Sequence, residues 1–255
     1  MPSLAGKRWE STNENVDDGI GKSQQLQIKR ARLRVEILKK ESDPKAKYEL
    51  FQRLNTGGAH LTPQEVRNCI AVMINPGFYD WFSNLSRNSD FIATTNQTPT
   101  ALEQQMGVEL VLRFLAFRKI TYENGLDVHE YLGKALESLA NDVNYHFADE
   151  EAIFVKTFKF LNDALGENSF KKWSPQNQSF SGKFLMSTFE VMAIGLSRNI
   201  EALEVMDEAA RNNFITARAK ELHLDPLFSA NSGGGVRGTT RLANLLPMGA
   251  NFFKP

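Results

Sequence analysis

Two arginines, two asparagines and a pair of glycines crowd one short segment, Phe51-Gln52-Arg53-Leu54-Asn55-Thr56-Gly57-Gly58-Ala59-His60-Leu61-Thr62-Pro63-Gln64-Glu65-Val66-Arg67-Asn68. A guanidinium combined with the free amides of a helix start can grip a phosphate, and glycines let the backbone approach such a ligand closely. Arg53, Asn55, Arg67 and Asn68 are the candidate contacts, Gly57 and Gly58 the close-approach positions, and Thr62, Gln64 and Glu65 the supports. Leu61-Thr62-Pro63-Gln64-Glu65 reads as a helix start: Thr62 caps, Pro63 suits the first helical position and Glu65 closes a capping box. Upstream, Asp43-Pro44 opens a helix on which Tyr48, Phe51 and Leu54 recur, and Gly57 or Gly58 ends it with a positive φ. Turning the chain needs one glycine, so the corner is richer than a turn requires. The same residues also suit a purely structural joint, with Asn55 capping backbone groups and Glu65 pairing Arg67 or Arg53 in a buried network. Residue types alone divide these two readings about evenly.

Other chemistry is weaker. Gly19-Ile20-Gly21-Lys22-Ser23 resembles the end of a phosphate-binding loop, but Val16 stands where a glycine is needed and no buried strand precedes it. Arg218 and His223 have the Arg-x4-His spacing of HEPN-like helical ribonucleases, yet residues five apart diverge by roughly 140° around a regular helix. His60, His129 and His146 lack carboxylate or cysteine partners at metal-ligand spacing, so no metal site is proposed. Cys69, the only cysteine, lies on the apolar run Val66, Cys69, Ile70 and Met73 and reads as a core thiol.

The corner resembles the signature F-x-R-L-N-x-G-G-x-x-L-x-x-Q-E-x-R-N of the ParB/sulfiredoxin-like domain in GmrSD-type, modification-dependent restriction proteins of prokaryotes. Phe51, Arg53, Leu54, Asn55, Gly57, Gly58, Leu61, Gln64, Glu65, Arg67 and Asn68 carry it. Leu4 to Trp9 and the Arg32 to Leu38 stretch fall where that family has comparable segments. The resemblance implies a component of an antiphage defence or restriction system, in which the complete domain binds and hydrolyses a nucleoside triphosphate with magnesium and couples this to attack on foreign DNA. It places Arg53, Asn55, Gly57, Gly58, Arg67 and Asn68 on a wall of the nucleotide site. The family's other motif, Asp-Gly-Gln-Gln-Arg, lies upstream of the matched region; Asp18-Gly19-Ile20-Gly21-Lys22-Ser23-Gln24-Gln25 does not reproduce it. The catalytic residues are therefore unassigned. The expectation is a truncated, late-started or split family member that does not hydrolyse nucleotide alone. The alternative is a non-enzymatic scaffold subunit for a partner nuclease, with a HEPN-like ribonuclease behind both. A protein partner or homo-oligomer is implied, with DNA reached through the complex.

The elements that must position these residues are mostly helical. Leu33, Val35 and Ile37 alternate with Arg32, Arg34 and Glu36 as a half-buried strand, the only convincing one. Lys22, Lys29, Arg30, Arg32, Arg34, Lys39 and Lys40 face only Glu36 there, which suits a solvated face or a phosphate-tracking edge. Residues 1–27 read as a loop anchored around Trp9 and a flexible or helical lead-in. Helices are expected over Phe78 to Leu85, Ala101 to Lys119, Val128 to Asn144, Asp149 to Leu165, Gly182 to Ser197, Asp207 to His223 and Thr240 to Leu246. Asn88 to Pro99 and Gly166 to Ser181 read as loops, and Ser232 to Gly235 as a flexible link. The fold class is mainly α: a multi-helix bundle over 76–255, with a partial α/β, ParB-like segment over 1–75. The 255 residues are 42% hydrophobic and 24% charged, with 30 cationic and 30 anionic side chains, so net charge does not announce a nucleic-acid binder. No apolar run nears the roughly 20 residues of a membrane span and no signal-peptide pattern is present. With a single cysteine, the expected location is the cytoplasm.

Overall fold

The computed structural model describes residues 4–12, 17–32 and 61–255. The expected strand residues from Leu33 onward, the helix opened by Asp43-Pro44, His60 and the corner residues Arg53, Asn55, Gly57 and Gly58 lie outside the described residues. The chain divides into two units, residues 1–43 and 44–255, and each is taken by itself.

In the first unit, Arg8 and Gly19 form a parallel bridge: the Arg8 N–H donates to the Asp18 carbonyl at 2.6 Å and the Ile20 N–H to the Arg8 carbonyl at 2.7 Å. Helix α1 (Lys22–Arg30) follows and buries none of its residues. Trp9 anchors this loop through its carbonyl, which accepts from Gln25 Nε2 at 2.6 Å, and through its ring, 5.5 Å from the Lys29 ammonium.

The second unit is mainly α-helical. Its helices are α2 (Pro63–Ile74), α3 (Pro76–Leu85), α4 (Ser89–Thr95), α5 (Pro99–Glu103), α6 (Met106–Lys119), α7 (Val128–Asn141), α8 (Phe147–Leu165), α9 (Met186–Arg198), α10 (Ile200–Glu204), α11 (Glu208–Leu222), α12 (Pro226–Asn231) and α13 (Gly238–Phe252). Polar side chains start many of them, as with Asn75 on the Phe78 N–H and Asn88 on the Phe91 N–H, both at 3.0 Å. Helices α6 and α9 are buried along almost their whole length, so both lie inside the body and the others surround them. Between them and α8, Phe91, Phe114, Phe154, Phe158 and Phe189 interlock, with ring centroids 4.5 to 6.3 Å apart. Helix α2 packs on α3, α6 and α7, so the expected 1–75 segment ends within this helical unit.

Several expectations change. The single helix over Ala101 to Lys119 is two, because Gln105 takes a left-handed φ of 62° between α5 and α6. The expected polar loop after Asn88 contains α4, whose Phe91 and Thr95 are buried. The expected loop Gly166 to Ser181 holds a 3₁₀ turn and an antiparallel hairpin, β1 (Lys172–Ser174) and β2 (Ser179–Ser181). Trp173 pairs directly across from Phe180, with ring centroids 4.9 Å apart, and this aromatic pair accounts for two such short strands. Among the described residues this hairpin supplies the only sheet, at a place where no strand is expected. The last helix runs beyond Leu246 to Phe252 and carries Pro247 inside it. Among the described residues, no helix is long and apolar enough to cross a membrane.

Candidate functional site

The second half of the corner motif is held by two hydrogen-bonded groups at the start of α2. Thr62 Oγ1 accepts from the Glu65 N–H at 3.3 Å, and Glu65 Oε2 accepts from the Thr62 N–H at 2.6 Å, which is the capping box read from sequence. Gln64, 1% exposed, bridges the remaining two: its Oε1 accepts from Arg67 Nε and its Nε2 donates to Asn68 Oδ1, each at 2.8 Å. Thr62, Gln64, Glu65, Arg67 and Asn68 are therefore brought together.

Arg67 is 3% exposed and has a carboxylate partner on another helix. Glu65 spends its carboxylate on the cap, while Arg67 Nη2 donates to Glu109 Oε2 on α6 at 2.9 Å. Beyond Glu109 the pairing continues. Arg113, one turn further along α6, donates from Nη2 and Nε to Glu109 Oε1 at 2.7 and 3.0 Å. Arg113 Nη1 reaches Glu190 Oε1 on α9 at 3.0 Å, and Glu190 accepts from Arg241 Nε and Nη2 on α13 at 2.7 and 3.2 Å. An unbroken relay, Arg67–Glu109–Arg113–Glu190–Arg241, thus links four helices through the core. Glu190 is fully enclosed, at 0% exposure.

Such burial is costly unless each charge is paired and hydrogen-bonded. The relay meets that condition by alternating sign along its length. Burial pushes the Glu109 carboxyl up, but the Arg113 and Arg67 guanidiniums outweigh it and hold the carboxyl below its ordinary range. A second buried carboxylate, Glu150 on α8, is held in the same way by Lys119 at 2.8 Å and Arg118 at 3.2 Å. Burial raises it, and these two cations bring it below the usual value.

The relay was only half visible in sequence. Glu109 and Arg113 stand among the apolar positions of their helix, an i, i+4 pair of opposite charges on a face that should be hydrophobic. Glu190 and Arg241 are distant in sequence and carry no comparable signal.

The other candidates are placed differently. Burial pushes the His223 imidazole down to about 4, with Lys172 adding to the effect, and the hydrogen bond to the Lys171 carbonyl opposes it. Since a carbonyl only accepts, Nε2 of His223 carries the proton in that 3.1 Å contact. Arg218 pairs with Glu221 at 2.8 Å and lies over the Phe214 and Phe252 rings. The two residues of the ribonuclease-like spacing each serve local packing. Cys69 is half-buried rather than enclosed, because Val66 and Ile70 take the core-facing positions of α2 while Met73 points outward at 51% exposure. Burial raises its thiol above the ordinary value, with Glu65 adding to it. Among the described residues, no group of three or more His, Cys, Asp or Glu side chains is placed to hold a metal ion.

Comparison of the chain with protein-family models, curated proteins and solved structures finds no match.

Proposed function

We propose that this chain is a component of a prokaryotic antiphage defence or restriction system, similar to the GmrSD-type proteins, and that its Gly-Gly corner forms part of a nucleotide site. Arg53, Asn55, Gly57, Gly58 and Asn68 meet the phosphates, and a magnesium-bound nucleoside triphosphate is the ligand. Arg67 sits at the junction between that site and the helical body. One observation carries the reading: the motif's Arg67 is the first member of a buried ionic relay that ends on α13. A joint needs one salt bridge; a charge path through four helices suits transmission of a bound state.

Hydrogen exchange tests this. Magnesium and ATP or GTP are added to the chain, alone and with a polypeptide carrying the Asp-Gly-Gln-Gln-Arg motif supplied in trans. The expected result is slower exchange over 61–74 together with altered exchange in α13, both lost in Arg53→Ala. Unchanged exchange with every nucleotide, in both mixtures, overturns the proposal. A scaffold role for a partner nuclease is the second reading, favoured by Val72 and Met73, which stand 44% and 51% exposed side by side on α2. It predicts co-purification of a partner that Val72→Lys releases. The ribonuclease reading has no comparable support, since His223 and Arg218 are engaged locally.

A further inference from the structure

The β1–β2 hairpin and its flanks concentrate positive charge in a chain whose formal net charge is zero. Lys171 precedes β1, Lys172 opens it, Lys183 follows β2, and Lys220 of α11 holds its ammonium 4.6 Å from the Trp173 ring centroid. The nearby carboxylates are already taken: Glu167 by Lys171 at 3.2 Å and by Asn96 Nδ2 at 3.2 Å, and Glu221 by Arg218 at 2.8 Å. Lys172, Lys183 and Lys220 have no carboxylate partner among the described residues. The Lys172 charge is felt inside the fold as well, since it helps to depress His223.

The tip between the strands is polar and braced by its own hydrogen bonds. Ser174 Oγ accepts from the Asn177 N–H at 3.3 Å, and Gln178 adopts a left-handed φ of 49° with its Nε2 on the Pro175 carbonyl at 2.7 Å. Gln176 and Asn177 are exposed, and their side-chain amides make no hydrogen bond among the described residues. The base is fixed too. His223 holds the Lys171 carbonyl, and the Leu185 N–H donates to the Phe170 carbonyl at 2.9 Å. A cleft of about 620 Å³ beside the hairpin has Lys172, Gln176, Asn177 and Lys183 on its walls.

We propose that this hairpin is a duplex-DNA contact, with Lys172, Lys183 and Lys220 on backbone phosphates and the Gln176 and Asn177 amides on base edges in the major groove. The physical match has three parts. A two-stranded ribbon fits the major groove of B-form DNA, and strands of three residues reach about 10 Å along it. Asn and Gln amides pair bidentately with adenine, and unpaired lysines release counterions on meeting phosphates. The deep, narrow major groove of an RNA duplex excludes the same ribbon. This deepens the defence reading, in which DNA is the target, but it is carried by the hairpin alone.

The test is fluorescence-anisotropy binding of the full chain to duplex DNA and to duplex RNA of the same sequence, across a salt series. Three phosphate contacts give a log–log salt slope of about −2.7, a loss of roughly 40-fold in affinity between 50 and 200 mM salt. Lys172→Ala with Lys183→Ala lowers that slope by about 1.8. Gln176→Ala with Asn177→Ala leaves the slope alone and removes a preference of at least about fivefold for adenine-containing sites over G·C tracts. All four positions are exposed, so thermal melts of both double variants matching the parent confirm that the fold is intact. Absent DNA binding, binding equal on RNA, or a slope unchanged by the lysine variant each overturns the inference. Nucleotide-dependent exchange over 61–74 that persists without DNA binding would sink this inference alone and leave the nucleotide reading standing.

Discussion

Replacing Glu190 by Gln keeps its shape and removes the charge that joins Arg113 to Arg241 in the relay. Glu190 Oε1 accepts from both Arg113 and Arg241, and Oε2 from Arg241 alone, so whichever way the amide is placed its NH₂ meets a guanidinium donor. Breaking a buried pair by removing one partner costs about 3–5 kcal/mol. Two features set Glu190→Gln at the lower end: Arg113 keeps both its bonds to Glu109, and the Arg241 side chain, 18% exposed, can recruit water. About 3 kcal/mol corresponds to a fall in Tm of roughly 6–12 °C for a body of this size. Calorimetric melts at neutral pH measure it. Adding Arg241→Met should return at least about 1 kcal/mol, because the second substitution removes the cation that the first left unpaired. The exposed Lys156–Glu204 pair is the control: its side chains are 42% and 49% exposed, and Glu204→Gln should cost less than about 1 kcal/mol. A Glu190→Gln melt within about 2 °C of the parent would refute the argument. So would a double variant whose loss equals the sum of the two single losses.

Two further predictions concern the same body. A Cβ on Gly195 would lie 2.7 Å from the Phe253 ring and 2.9 Å from the Gly249 carbonyl carbon, so Gly195→Ala should force α9 from α13 and cost about 2–3 kcal/mol, read as a lower Tm. His223 has its pKa lowered from 6.5 to about 4, so the unfolded chain takes up a proton first and stability falls as pH drops through that window. The full shift is worth about 3 kcal/mol, and solvent contact of the half-buried ring reduces this to roughly 1–2. Urea titrations at stepped pH should show this slope, and His223→Gln should flatten it.

Local signals in the sequence were strong where a short stretch decides its own conformation. The Thr62–Glu65 capping box is complete within four residues, and it forms as read. The helices from Val128 and Asp149 appear within a few residues of their expected bounds, since their apolar spacing selects one face whatever they pack against, and that from Asp207 begins at its Asp207 cap. Two elements escaped. The hairpin at Lys172–Ser181 has strands of three residues, too short for an alternating pattern to register. The break between α5 and α6 turns on one left-handed glutamine, a residue type with no special liking for that conformation.

The chain by itself determined a mainly helical body, the cap that starts α2 and the clustering of polar residues around the corner. These follow from backbone sterics and from side chains reaching one turn away. Tertiary structure alone decided who pairs with Arg67. Glu65 lies two residues away and is used by the cap, while Glu109, 42 positions on, becomes the counter-charge, and Glu190 and Arg241 extend the path. A charge enters the core only when packing brings its opposite within hydrogen-bond reach, and that meeting depends on how four helices cross, which no local spacing encodes.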